Sequence, residues 1–231
     1  MDIKELFEKD KQYYTQDFKA VEILLNRIRI ALAGEKFLDI SDLDLSQSIP
    51  FDKDITQIYI SLFQKGGLKI RFGSKRETLK QTLNRVILKL RENSKFSQFD
   101  IKNSNDCKLL FEFVTSKHKI NSKNVQSKRF TQSRFELGIT GFEIRNIKEK
   151  QSWFFMPTDA IINSTQNFLD ALKITLKSTP IAKLSNSFSE RNEIFFNSPD
   201  YDFYLTNSRA FLDFNEKCYP LYRGFLVNAG N

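Results

Sequence analysis

The sequence predicts an α+β fold: a single domain with a curled, mostly antiparallel, barrel-like sheet and two or three flanking helices. Short apolar runs that alternate with polar residues outnumber stretches of helical period. Several of those runs come in pairs joined by brief turns, the pattern of antiparallel hairpins. The 231 residues hold no fixed-period repeat and no low-complexity linker, so 1–231 reads as one domain. Aromatics make up 13% of the chain, 23 of them Phe, which excludes long disorder.

Taken in order, residues 13–33 place Phe18, Val21, Leu25, Ile28 and Leu32 on one helical face, with Gly34 set to end the helix. The acidic stretch 37–54 is turn-rich, and Pro50 stops any helix there. Leu38, Ile40, Leu43 and Leu45 make it an anchored connection. Residues 57–63 and 68–72 form a hairpin in which Leu68, Ile70 and Phe72 alternate with Lys69 and Arg71. Leu79, Leu83, Val86, Ile87 and Leu90 then mark an amphipathic helix over 75–92. Residues 108–114 read as a further strand, and 116–133 as a long, basic, exposed loop.

The second half opens with strands over 135–147 and 152–156, the latter ended by Pro157. Trp153 and Phe155 facing one side, with Phe154 and Met156 facing the other, suggest a buried central strand. After Asn163-Ser164 as an N-cap, Phe168, Leu169, Leu172 and Leu176 form a helix that Pro180 closes. The aromatic tail, 190–228, reads as strands at 193–196, 201–205, 210–214 and 222–227.

Charge is unevenly placed. The whole chain is +8, but residues 65–134 carry 18 basic and 5 acidic side chains, or +13, leaving the remainder at −5. Such asymmetry points to a basic surface for an anionic partner. The candidate anion contacts are Lys69 and Arg71, outward on their strand, and the loop residues Lys117, Lys119, Lys128, Arg129 and Arg134.

Metal and hydrolase chemistry find little support. His118 is the sole histidine and sits between two lysines, while Cys107 and Cys218 lie far apart in sequence. No phosphate-cradling glycine motif occurs. Neither catalytic residues, nor a metal site, nor a cofactor is expected. One nuclease-like set, Asp200 with Glu216 and Lys217, resembles a magnesium-binding triplet but has Asn215 where the second acid belongs. The two cysteines and the charged opening MDIKELFEKDKQYY suit a cytoplasmic protein, and no apolar run is long enough to span a membrane.

The order of strand, glycine turn, strand, Gly-Ser, helix and strand resembles the AMMECR-like domain family, named for the AMME-syndrome chromosomal region. Leu68-Lys69-Ile70-Arg71-Phe72-Gly73-Ser74 corresponds to that family's L-R-G-C-I-G-S/T strand. Phe96 falls in its R-F-x-P-L segment, Gly141 in its second glycine pair, and Pro157 in its L-P-Q. The similarity covers roughly 55–180, and Leu68, Gly73, Phe96, Gly141 and Pro157 are its scaffold positions. Ile70 and Arg71 replace the family's Gly-Cys pair, so chemistry needing that cysteine is not expected here. The resemblance implies a barrel-like sheet with flanking helices. The expected function is a non-catalytic binding or adaptor module, engaging a protein or another anionic macromolecule through the basic surface. The alternative is a nucleic-acid-binding protein, with a metal-dependent nuclease as its catalytic form.

Overall fold

The computed structural model describes residues 18–34, 37–64, 67–121, 140–163 and 165–221. The fold is α+β, built on an antiparallel sheet. Its elements are α1 (Phe18–Ala33), β1 (Ile58–Gln64), β2 (Leu68–Ser74), α2 (Leu79–Arg91), β3 (Cys107–Ile120), β4 (Thr140–Asn146) and β5 (Gln151–Phe155). They are followed by α3 (Pro157–Ile162), α4 (Phe168–Leu176), α5 (Phe188–Asn197), β6 (Tyr201–Phe214) and β7 (Lys217–Leu221). Among the described residues there are thus five α-helices, more than the two or three expected. The strand order is β2-β1-β3-β6-β4-β5, with β7 paired to β6. No described helix is long and apolar enough to cross a membrane.

The chain divides into two compact units, Met1–Thr115 with Arg209–Asn231, and Ser116–Ser208. In the first, α1 and α2 cover one face of β1, β2 and β3. Ile58, Ile60 and Leu62 alternate inward on β1, facing Ile70 and Phe72 on β2 and Leu109, Phe111 and Phe113 on β3. Leu24, Leu25, Ile28 and Leu32 of α1 and Leu83, Val86, Ile87 and Leu90 of α2 close this core. The start of the expected first helix, 13–17, lies outside the described residues. Its end is as expected: the Gly34 N–H donates to the Ile30 carbonyl at 2.9 Å. One charge penetrates the core. Arg29 donates from Nε to Asp213 Oδ2 at 2.7 Å and from Nη1 to the Ile101 carbonyl at 2.7 Å, tying α1 to the end of β6. Removing one partner of such a buried pair costs about 3–5 kcal/mol.

In the second unit, aromatic packing dominates. The Phe142 ring stacks on Phe155 at 5.4 Å and Phe203 at 5.3 Å, and meets Phe168 edge-on at 5.7 Å. Each such pair adds about 0.5–1.5 kcal/mol beyond the area buried. Register explains the cluster, since Phe142 is directly opposite Phe155 and Ile144 opposite Phe203.

Several expectations are corrected. The helix expected at 75–92 begins at Leu79, because Thr78 is the N-cap and its side chain accepts from the Gln81 N–H. The strand expected at 108–114 runs on to Ile120, so 116–120 are strand and not loop. The remainder of that loop, 122–133, lies outside the described residues, as do 135–139 at the start of the strand expected over 135–147, and 222–227. Residues 193–196 belong to α5, where Phe188 and Phe195 stand seven positions apart on one face. The two tail strands at 201–205 and 210–214 are a single fourteen-residue strand. β5 ends the strand order instead of lying centrally, and Trp153 and Phe154 are only half-buried. The N-cap of α4 is Asn167, not Asn163-Ser164. Pro157 does end β5, and it also opens α3, where a missing N–H costs nothing.

Candidate functional site

Among the described residues, the cations singled out in the sequence, Lys69, Arg71, Lys117 and Lys119, face partners within the fold. Tyr59 on β1 lies between Gly73 on β2 and Glu112 on β3, so all three share a face. Arg71 reaches across diagonally. Its guanidinium sits 4.4 Å from the Tyr59 ring centroid and its Nη2 lies 3.4 Å from Oε2 of buried Glu112. Lys69, directly opposite Phe63, holds its Nζ 5.6 Å from that ring. Lys117 and Lys119 are strand residues, contrary to the loop expectation. Lys117 pairs with buried Glu143 and lies 4.1 Å from the Tyr204 ring centroid. Glu143 also accepts from the Ser152 hydroxyl at 2.6 Å. Lys119 pairs with Asp202 at 2.7 Å. Buried carboxylates require compensating cations, and these side chains supply them. Lys128, Arg129 and Arg134 lie outside the described residues.

The scaffold positions have clear steric roles. A Cβ on Gly73 would fall 2.2 Å from the Tyr59 ring. At Gly141 it would fall 2.6 Å from the Phe155 carbonyl and 2.8 Å from Thr206 Oγ1. Pro157 is buried at the start of α3, and Phe96, in a short 3-10 turn, packs partly against the first core. Leu68 is in β2, with its side chain outside the described set.

The members of the nuclease-like set each make their own local contacts. Asp200 pairs with Lys148 at 2.9 Å. Glu216 occupies a turn with φ 58°, its N–H donating to Ser104 Oγ. Among the described residues, no three acidic, His or Cys side chains cluster as metal ligands. Both cysteines are buried; burial pushes the Cys218 thiol up to about 12 and raises that of Cys107. His118 is an exposed residue of β3, not of a loop.

A groove of about 640 Å³ forms instead in the first unit, along the connection between α1 and β1. Local chemistry makes this segment irregular. Asp39, Asp44 and Asp52 each accept from the N–H two residues on, at 3.2, 3.1 and 2.7 Å, turning the backbone in place of helix or strand. Leu38, Ile40, Leu45 and Ile49 anchor it in the core. Two polar ties fix it to the helices: Arg27 donates to Asp42 at 2.5 and 2.7 Å, and Asn84 of α2 exchanges hydrogen bonds with the Leu38 backbone. What remains at the surface is a groove lined by Leu43, Phe51, Ile55 and Leu79, all half-buried, with Asp44 and Asp52 exposed beside them. From sequence alone this segment reads as a connection only. The available signal was the excess of apolar residues over what anchoring needs.

No family model matches the chain, and no curated protein matches it. Among solved structures, the chain resembles the uncharacterized protein PH0010 from Pyrococcus horikoshii, with a TM-score of 0.58 and 12% identity. The match covers 88% of this chain and 94% of that one. At that identity the likeness speaks for the fold alone.

Proposed function

We propose that the protein is a non-catalytic binding module, a diverged AMMECR-like domain that holds a macromolecular partner. The observation that carries this reading is the groove. Leu43, Phe51, Ile55 and Leu79 line one concavity with a few polar groups beside them, and clefts of this size and lining are where proteins take ligands. The tight packing at Gly73 and Gly141, two positions of the family resemblance, supports the domain assignment. The nucleic-acid alternative rests on composition. Within the described residues, Arg71, Lys117 and Lys119 already face carboxylates.

Photo-crosslinking in cells tests the proposal. A benzoylphenylalanine at exposed Ser46, on the groove, is expected to trap a discrete partner that one at exposed Lys177, beyond α4, does not. Phe51→Glu in the same chain should abolish that adduct. Equal trapping from both positions, or no adduct from Ser46, speaks against a groove-based module.

A further inference from the structure

We infer that the groove takes a short peptide segment of another protein in which apolar side chains are flanked by lysine or arginine. The inference rests on the binding reading above and names the partner's chemistry. Residues 37–54 hold five aspartates against one lysine, within a chain of net charge +8. Half of these six charges are already committed. Asp39 pairs with Lys80 at 2.8 Å, Asp42 with Arg27, and Lys53 with Glu77 at 3.4 Å.

Asp44 and Asp52 differ. Both are exposed on the groove, both accept from their own turn, and among the described residues neither faces a cation. The Ser46 hydroxyl, donating at 2.6 Å, holds the Asp44 carboxyl below the usual carboxylate range, so it stays ionised at neutral pH. The surface therefore joins apolar side chains to two carboxylates that, among the described residues, stand outside the ion pairs. Cationic flanks on the partner meet those charges, and an acidic partner is repelled by them. Rim pairs of this kind set association rate and partner choice more than affinity. The partner so defined is opposite in sign to the anionic one that composition alone suggests.

The test is display selection of a random 12-residue peptide library on the intact chain and on an Asp44→Lys/Asp52→Lys double variant. The intact chain should enrich peptides with Lys or Arg flanking Leu, Ile or Phe, and the variant should enrich acidic flanks instead. A selected basic peptide should bind Asp44→Asn/Asp52→Asn about fivefold more weakly, and more weakly as salt rises. Groove-dependent enrichment of neutral or acidic peptides by the intact chain overturns the cationic inference but leaves a binding groove. Absence of any enrichment sensitive to Phe51→Glu overturns the groove reading itself, and this inference with it.

Discussion

At the scale of single residues, two glycines are both sterically enclosed but should not be equally intolerant. A methyl at Gly73 meets a tyrosine ring at 2.2 Å, and a ring can swing aside; at Gly141 it meets the Phe155 carbonyl at 2.6 Å, and backbone cannot. Gly141→Ala is therefore expected to destabilise by about 1–3 kcal/mol, and Gly73→Ala by less, in urea unfolding of the two variants. The reverse order would show that Tyr59 is the more rigid neighbour. Cys218 gives a pH dependence of known sign. Burial, with Asp213 and Glu22 nearby, raises its thiol from 9.0 to about 12. The neutral thiol's contribution to stability is complete below pH 9 and is lost as pH rises towards 12. Urea midpoints should fall across that alkaline window, and a thiol-specific reagent at pH 8 should label Cys218 only on unfolding. Rapid labelling of native protein would contradict the burial.

At the scale of elements, α2 is held at its start by one hydroxyl. Thr78 accepts from the Gln81 N–H at 3.2 Å, so Thr78→Ala should cost about 1 kcal/mol and Thr78→Asp should restore most of it, read by thermal melts. This helix was legible because Leu83, Val86, Ile87 and Leu90 repeat at helical period, and the β1–β2 hairpin because Ile70 and Phe72 alternate with Lys69 and Arg71. Elsewhere local pattern misled. Residues 116–120 looked like loop because Lys117 and Lys119 are charged, yet Glu143 and Asp202 opposite them satisfy those charges in a strand. Residues 193–196 looked like strand because the three apolar residues after Glu193 have no readable period, whereas Phe188, seven positions before Phe195 on the same face, reveals α5. The groove was illegible for a different reason. Its residues come from a connection, from Leu79 at the start of α2 and from Thr115 on β3, and only folding brings these together.

At the scale of the whole molecule, the net charge of a segment does not say which of its cations already face carboxylates. A basic central segment suggested an anion-binding surface, but Arg71 and Lys117 neutralise buried glutamates that their own sheet presents. Affinity for a 20-nucleotide single strand should accordingly be weak at 150 mM salt. A log–log salt slope as steep as about −3, equivalent to some four phosphates contacted at −0.7 each, would instead support the nucleic-acid reading. The most direct test of the account is a methyl NMR titration of the intact chain with a selected lysine-flanked 12-residue peptide. The account predicts saturable shifts at Leu43, Ile55 and Leu79, with Leu110 and Val114, on the strand that carries Glu112, unmoved. Shifts at Leu110 and Val114 with the groove methyls silent would contradict it.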